Sequence, residues 1–244
     1  MKLISLNIEV NKHYDRVLNF FKQENPDVIC VQELLEDDFE RFKNELNLQG
    51  IFKAFNYVTS KNYEDMKGKK QGVGIFAKDV IEAGYTFYFG TEKNVQKPFE
   101  EYLLDENNKK NSVLVWVDVL DAQKNTIRFV TTHLPVTHHG ESSPYQLETV
   151  DSLLKELNSF PEIVLCGDMN APRGNETFAR LEKKYTDNIP LEYKTSLDQN
   201  LHRVKGLQHM VDCVFTTPQY RARNVKLVDG VSDHMAVVAD IEKI

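Results

Sequence analysis

The 244-residue sequence lacks the features that mark secreted and membrane-spanning proteins. Its first residues, MKLISLNIEV, contain no positively charged segment followed by a long apolar one, which is the pattern of a secretory signal peptide. No apolar run approaches the roughly 18 residues that a membrane-spanning helix requires. The sequence therefore predicts a cytoplasmic protein with no membrane span.

Cysteine is scarce, and its three positions do not suit a metal site. Cys30, Cys166 and Cys213 each lie within an apolar run that resembles a strand, and their spacing matches no metal-binding pattern. Their number is odd, so they do not form a complete disulfide framework. The pattern predicts reduced, buried thiols with a structural role in a cytoplasmic protein.

Positive charge is also in deficit, with 30 Lys and Arg against 37 Asp and Glu and a formal net charge of −7. Unspecific nucleic-acid binding depends on basic surfaces that release counterions, so the composition excludes a generic nucleic-acid-binding protein. A nuclease with a local basic rim around acidic metal ligands stays open. The hydrophobic fraction of 41% supports a sizeable core, and the length fits one large α/β domain over residues 1–244.

Two common catalytic motifs are incomplete. The fragment GVG at 72–74 is not the G-x-G-x-x-G of a dinucleotide site, and it does not lead from a first strand into a helix. The stretch GESSP at 140–144 lacks the final glycine of a serine hydrolase's nucleophile elbow. His138 and His139 lie in a polar loop without ligand spacing, and we expect them at the surface.

Strand-like and helical patterns alternate along the chain. The hydrophobic periodicity predicts helices over 12–24, roughly 36–47, 143–159 and 175–184, and strands over 2–8, 27–34, 71–78, 86–90, 112–120, 126–134, 162–166, 210–217, 225–230 and 234–241. Residues 91–111 read as a polar, mobile insertion. Strands 112–120 and 126–134 form a hairpin, which excludes a purely parallel sheet. The predicted class is α/β, with mixed sheets covered by helices.

The stretch EIVLCGDMNAP, residues 162–172, allows two interpretations. A short buried strand ends in Gly-Asp-Met-Asn, which places Asp168 and Asn170 two residues apart. Period-two geometry, if it persists, directs both side chains to the same side, as a functional site requires. Gly, Asp, Asn and Pro are also common turn residues, so a plain turn stays open on this stretch alone.

Polar side chains recur where apolar strands begin or end, in six separate segments. A buried polar or charged group costs several kcal/mol unless it is paired or bound to a metal. The recurrence therefore predicts one site at converging strand ends. Its candidate residues are Asn7 and Glu9, Glu33 beside Gln32, His133, Asp168 and Asn170, Asp212, and Asp233 with His234.

The residue types in this set point to metal-assisted phosphate chemistry. Carboxylate and amide oxygens without a Cys/His set suit Mg²⁺, with Mn²⁺ as a substitute, better than Zn²⁺. His133 and His234 suit a phosphoryl group as hydrogen-bond donors or acid–base partners. Asp212 could bond a ring nitrogen of one histidine and fix its tautomer. The set describes water attacking phosphorus beside a metal ion.

The motifs LNIE, VQE, TTHL, GDMN, MVDCVF and SDH, in this order, resemble the signature of the endonuclease/exonuclease/phosphatase superfamily of metal-dependent phosphoesterases. The resemblance runs from Ile4 to His234. It implies a four-layer α/β/β/α sandwich with the site at one edge of two packed sheets. It also implies that Glu33 is the principal metal ligand, that Asn7 and Glu9 hold the metal region and its waters, and that Asp233 completes the metal set.

The resemblance assigns the chemical step to five further residues. Asp168 would orient or activate the attacking water, and Asn170 would contact the phosphate. His133 matches a phosphate-binding histidine. His234 would bind or protonate the phosphoryl oxygens, with Asp212 as its orienting carboxylate.

Substrate identity stays open among DNA, RNA, lipid headgroups and small phosphoesters. The segment KTSLDQN at 194–200 resembles a loop of abasic-site endonucleases and tyrosyl-DNA phosphodiesterases, but no tryptophan or arginine flanks Asp212 as in the abasic-site pattern. Lys67, Lys69 and Lys70 form either a solvated charge run or part of a phosphate groove. We expect a monomeric Mg²⁺-dependent phosphoesterase acting on DNA or a phosphorylated small molecule. The alternative is a catalytically silent binding or scaffold module, which would have lost a residue such as Glu33.

Overall fold

Two six-stranded mixed sheets pack face to face in a computed structural model, which describes residues 1–58, 61–92 and 111–244. In chain order the strands are β1 (Lys2–Asn7), β2 (Val28–Leu35), β3 (Gln49–Tyr57), β4 (Lys70–Ala77), β5 (Val80–Phe89), β6 (Ser112–Leu120), β7 (Thr126–His133), β8 (Val164–Asp168), β9 (Thr186–Asp187), β10 (Asp212–Thr216), β11 (Tyr220–Val228) and β12 (Ala236–Lys243). The helices are α1 (Tyr14–Glu24), α2 (Glu36–Leu46), α3 (Pro144–Leu157) and α4 (Glu176–Glu182), with short 3₁₀ turns at Lys61–Met66 and His138–Gly140.

The strand orders are β11-β12-β1-β2-β4-β3 in the first sheet and β5-β6-β7-β8-β10-β9 in the second. β1 pairs with β2 in parallel, and β7 pairs with β8 in parallel. The other pairings between named strands are antiparallel. The predicted fold class, two mixed sheets flanked by helices, is confirmed.

Apolar residues on both faces of the strands create three stacked cores. In β1, Leu3 joins the cluster between the two sheets, whereas the next residue, Ile4, joins the cluster under helices α1 and α2. Strand alternation sends consecutive side chains to opposite faces, so both faces of the sheet are covered. A third cluster, which includes Phe178 and Phe215, lies between the second sheet and helices α3 and α4. The layers are therefore helix, sheet, sheet, helix.

Local capping residues fix where the second pair of helices begins. The side chain of Ser143 accepts a hydrogen bond from the Gln146 N–H, and Pro144 occupies the first helical position of α3. Asn175 accepts from the Phe178 N–H in the same way at α4. These caps place the two helices on the outer face of the second sheet.

Two strands, β3 and β9, were not predicted, and two others, β5 and β11, begin five or six residues before the predicted strands. β3 was not expected from the sequence, because only three consecutive residues of this edge strand, Ala54–Asn56, are buried and its polar and apolar residues alternate weakly. β5 begins at Val80, six residues before the predicted strand, and its first half is largely exposed. Most of the predicted insertion, residues 93–110, lies outside the described residues.

The three cysteines are free and buried, as predicted. Among the residues that the structure describes, no helix is long and apolar enough to cross a membrane.

Candidate active site

Strand direction brings the predicted residues to one edge of the sandwich. Asn7, His133 and Asp168 are the last residues of β1, β7 and β8, whereas Asp212 is the first residue of β10. Because β10 runs antiparallel to β8, Asp212 lies in register with Asp168, and His133 lies in register with Asp168 on the other side. Asp212 is therefore the first residue of its strand, whereas the apolar run had suggested a position inside the strand.

The first sheet contributes its residues through irregular backbone. Glu33 has a left-handed φ of 57°, where the pairing of β2 with β4 shifts register between Val31 and Leu34. This bulge turns the carboxylate toward the site. Asp233 and His234 lie just before β12, and His234 forms an isolated antiparallel bridge with Leu197.

Asn7 links the two principal carboxylates. Its Nδ2 donates to Glu33 Oε1 at 3.2 Å and to Asp168 Oδ2 at 3.1 Å, while its Oδ1 accepts from the Glu9 N–H at 3.1 Å. Gln71 Nε2 donates to the other oxygen of Glu33 at 3.2 Å. Both carboxylates are therefore fixed in orientation by neutral amides, and within the part of the chain that the structure describes neither pairs with a Lys or Arg side chain.

Glu9 lies at the site wall, with its carboxylate occupied on three sides. It accepts from Lys12 Nζ at 2.8 Å and from the Tyr63 hydroxyl at 2.8 Å, and His13 Nε2 lies 3.0 Å away. Burial alone would raise the pKa of Glu9, but the hydrogen bonds from Lys12 and Tyr63 and the Lys12 charge outweigh it and lower the pKa. Glu9 therefore remains a carboxylate at neutral pH.

The Gly-Asp-Met-Asn segment is both a turn and part of the site. Asp168 Oδ1 accepts the backbone N–H of Asn170 at 2.8 Å, and Asn170 adopts a left-handed φ of 46°. This turn closes the strand and leaves Asp168 Oδ2 facing His133 Nε2 at 3.5 Å and His234 Nε2 at 3.8 Å. Burial would raise the pKa of Asp168, but the charge of His234 and the hydrogen bond and charge of His133 lower it to about 2.

Asn170 and His133 form one polar unit. Asn170 Nδ2 donates to the Leu134 carbonyl at 2.9 Å and lies 2.8 Å from His133 Nε2. The carbonyl fixes the amide orientation, since the amide oxygen could not face it. The His133 ring packs edge-on to Phe55 with a centroid distance of 6.0 Å, and among the described residues its buried Nδ1 has no hydrogen-bond partner.

The predicted pairing of Asp212 with His234 is present. His234 Nδ1 lies 2.8 Å from Asp212 Oδ2, and both residues are buried. The bond fixes the ring so that Nε2 faces Asp168. Burial alone would lower the pKa of His234, but the charges of Asp212 and Asp168 raise it well above its ordinary value. The ligand-type atoms of Asp168, Asp212 and His234 all lie within 4.8 Å of one another.

Asp233 supplies a buried carboxylate near two others. Its Oδ1 accepts from the Ser232 hydroxyl at 3.3 Å. Burial and the negative charges of Glu33 and Glu9 raise its pKa to about 7, against the opposing charge of His234. A divalent cation among these carboxylates would relieve both the repulsion and the burial cost. The donor set therefore fits a hard, oxygen-liganded ion such as Mg²⁺.

A cleft of about 570 Å³ opens over these residues. Sequence reasoning missed the roles of Tyr63, Gln71 and Phe55, which hold or pack against the predicted residues. Tyr63 and Phe55 do not lie at the polar end of a strand, and Gln71, near the start of β4, meets Glu33 only through the pairing of β4 with β2. His138 and His139 are exposed, as expected, but they line the cleft. The histidines that line it are His133, His138, His139, His202, His209 and His234.

Comparison with known proteins identifies the family and the fold. A sequence model of the Endonuclease/Exonuclease/phosphatase family matches residues 4–234. No curated protein sequence matches the chain.

Solved structures with similar architecture share little sequence with the chain. The human Nocturnin catalytic domain with bound sulfate has a TM-score of 0.75 at 15% identity, covering 100% of this chain and 93% of that one. A mannosyl-6-phosphatase from Bacteroides thetaiotaomicron has a TM-score of 0.70 at 15% identity, covering 99% of each chain. D. rerio TDP2 complexed with a single-strand DNA product has a TM-score of 0.70 at 14% identity, covering 100% of this chain and 99% of that one. Identities this low show a common fold and no more.

Proposed function

The chain belongs to the endonuclease/exonuclease/phosphatase family, and from that premise we propose that it is a Mg²⁺-dependent phosphoesterase in which water attacks phosphorus. One observation carries the proposal. Glu33, Asp168, Asp212 and His234 come from four separate segments; Glu33, Asp168 and His234 line one cleft, and Asp212 is bonded to His234. These four polar groups converge at one edge of the sandwich and are not part of its apolar cores.

Four residues would hold the metal region. Glu33 is the proposed principal ligand, because Asn7 and Gln71 orient its carboxylate without neutralising it. Asp233 would complete the set, and Asn7 and Glu9 would hold the region and its waters. When bound, Mg²⁺ (or Mn²⁺ in its place) supplies positive charge that polarises the phosphoryl group.

The remaining residues would act on water and phosphate. Asp168, with a pKa of about 2, is a weak base, so its role is to orient the attacking water by accepting a hydrogen bond. Protonated His234 would donate from Nε2 to a phosphoryl oxygen, with Asp212 stabilising the ring charge at Nδ1. Asn170 and His133 would contact the phosphate from the adjacent strand end.

The charge of the cleft favours a small phosphate ester over DNA. Among the described residues, the lining contains four carboxylates (Glu9, Glu33, Asp168, Asp233) and one basic side chain with permanent charge, Arg203. Neutralising several backbone phosphates requires a corresponding number of Lys or Arg side chains. Lys69 and Lys70, which could have formed a basic rim, instead pair with Asp37 and Glu36 of α2 at 3.0 Å each.

The similar structures include enzymes of both kinds, a mannosyl-6-phosphatase and a TDP2 bound to a DNA product. For this chain we propose a substrate that presents a single phosphate group on a small organic part, which would pack against apolar residues of the cleft lining such as Phe55 and Leu207.

Hydrolysis assays would test both the metal dependence and the substrate class. Purified protein is incubated with p-nitrophenyl phosphate, bis-p-nitrophenyl phosphate, sugar phosphates and defined DNA, in Mg²⁺, Mn²⁺ or excess EDTA. We expect metal-dependent turnover of the small esters and weaker action on DNA. Glu33→Ala, purified identically, controls for contaminating phosphatases. Full activity in EDTA would contradict metal dependence, a preference for DNA would contradict the substrate class, and no turnover of any substrate would favour the silent binding module.

A further inference from the structure

A buried three-residue segment, Ser196–Asp198, packs against the Asp212–His234 pair, and its middle residue, Leu197, also lines the cleft. We call it the strap. Ser196 and Asp198 have no solvent exposure, and Leu197 is 4% exposed. No assigned catalytic or metal-binding role involves these residues, although a buried carboxylate such as Asp198 is costly unless it is fully hydrogen-bonded.

One end of the strap holds the backbone that carries Asp212. The Ser196 hydroxyl oxygen accepts two backbone N–H groups, those of Val211 and Asp212, at 3.1 Å each. The Ser196 N–H donates to the His209 carbonyl at 3.0 Å. A single side-chain oxygen therefore fixes the first residue of β10, where the carboxylate partner of His234 originates.

The other end holds the backbone that carries His234. The Met235 N–H donates to the Ser196 carbonyl at 2.7 Å, and the Asp198 N–H donates to the Asp233 carbonyl at 2.8 Å. These two bonds enclose the bridge between Leu197 and His234. His234 is thus held like a residue in a short antiparallel sheet, although it lies outside the named strands.

The Asp198 carboxylate divides its bonds between two segments. Oδ1 accepts the N–H groups of Asn200 and Leu201 at 2.8 Å, which forms a local turn. Oδ2 accepts the Gly230 N–H at 2.6 Å, 32 residues away in sequence. A residue needed only for its own turn would use one oxygen, so the second bond serves the 230–234 segment.

We infer that Ser196 and Asp198 are positioning residues that set the geometry of the Asp212–His234 pair from behind. They touch no reacting atom and act through the backbone at both ends of that pair, and the Ser196 hydroxyl also hydrogen-bonds the Asp212 carboxylate. The kinetic consequence rests on the proposed phosphoesterase function, whereas the geometric consequence does not.

Asp198→Asn separates the two roles of this side chain, the local turn and the link to Gly230. The amide oxygen can still accept from Asn200 and Leu201, which preserves the turn. The amide nitrogen then faces the Gly230 N–H, so two donors oppose each other and that link is lost.

Ser196→Ala is the second variant, because it removes the acceptor for two N–H groups in the other half of the strap. Asp118→Asn is the matched control: Asp118 is buried and paired with Arg128 at 2.6 Å, but it belongs to β6 and does not line the cleft.

The first measurement needs no activity. NMR of protein labelled with ¹⁵N-histidine should show a downfield Nδ1–H proton of His234, bonded to Asp212, in the wild type and in Asp118→Asn. His234→Ala assigns the signal. We expect Asp198→Asn and Ser196→Ala to shift or lose it. An unchanged His234 signal in both folded variants would overturn the inference, whether or not the protein hydrolyses any substrate.

The second measurement is a kinetic double-mutant cycle. A misplacement of about 1 Å can cost up to about 100-fold in rate, so we expect Asp198→Asn to lower kcat by about 10- to 100-fold with KM nearly unchanged. In the His234→Ala background the same change should have little further effect, because its action passes through His234. An equal loss in both backgrounds, or a rise in KM alone, would overturn the positioning role. If the wild type shows a normal His234 signal but no turnover, the proposed function is contradicted. The NMR comparison of the variants then decides by itself whether the strap positions His234.

Discussion

Replacing Asp212 with asparagine isolates the charge of the Asp212–His234 pair. The asparagine oxygen can still accept from His234 Nδ1, so the ring orientation and tautomer are kept. Only the negative charge is removed, from a carboxylate that is 1% exposed and lies 2.8 Å from the ring nitrogen. In the proposed mechanism this charge stabilises the protonated ring while His234 donates to the phosphoryl group.

The expected loss follows from the role of His234 as a proton donor. A positioned acid or base contributes about 10²–10⁴-fold to the rate, and Asp212 supports that role from a buried position. Asp168 Oδ2 lies 3.8 Å from His234 Nε2 and continues to stabilise the ring in part. The lower end of the range therefore applies, and we expect Asp212→Asn to lower kcat by roughly 10²–10³-fold with little change in KM.

Steady-state kinetics with p-nitrophenyl phosphate at saturating Mg²⁺ would measure this loss, and circular dichroism would verify the fold. Asp212→Asn in the His234→Ala background should cost little more, since both residues serve one proton-donating group. The reasoning is refuted if the folded single variant keeps more than about a third of the wild-type kcat, or if KM rises while kcat stays constant.

Three further predictions concern Glu33, Asp168 and the buried cysteines. Glu33→Ala should abolish metal-dependent turnover with the fold intact, and a variant that keeps more than about a tenth of the wild-type rate would exclude Glu33 as the principal ligand. Asp168→Asn should lower kcat by about 10²–10⁴-fold with KM changed far less, because the group orients water in the transition state; a large KM effect alone would indicate substrate binding. Burial raises the pKa of Cys30 and Cys213 well above the ordinary value, so a thiol reagent at pH 8 should leave both unmodified until guanidinium is added; rapid labelling of the native protein would contradict this.

The fold could be predicted largely because its strands differ in burial in a way that sequence shows. β6 and β8 are buried on both faces and read as apolar runs, whereas the edge strand β3 is half-exposed and was overlooked. The first and last residues of an edge strand depend on which strand pairs with it, and this pairing cannot be read from the local sequence. The family resemblance implied the four layers, but neither it nor the periodicity predicted the order of the strands within each sheet.

The site could be predicted because of where its polar residues stand relative to their strands. Asn7, His133 and Asp168 close strands, whereas Asp212 and His234 open or precede them. If all of them meet at one edge, the second group must lie on strands of opposite direction, and β10 and β12 do run antiparallel to β8 and β1. Whether the polar residue precedes or follows the apolar run therefore indicates which way the strand runs relative to the site.

The supporting residues could not be predicted, because their partners are distant in sequence and lie on the backbone. Asp198, in the stretch Leu-Asp-Gln-Asn, reads as an ordinary turn residue, and half of its role is indeed a turn. The other half depends on the Gly230 N–H, which no side-chain pattern reveals. Gln71 could not be predicted for a related reason: its partner is the side chain of Glu33, 38 residues away, and the two meet only through the pairing of β2 with β4.

Glu33 itself shows that the site is held at some expense to stability. A non-glycine residue in the left-handed region costs about 1–3 kcal/mol, and glutamate gains little from local hydrogen bonding there, unlike Asn170. Glycine would relax the bulge, yet it would remove the carboxylate that Asn7 and Gln71 hold from two sides. The bulge, the two amides and the left-handed backbone all act on one side chain. That concentration of strain and support on a single carboxylate is expected where its position determines function.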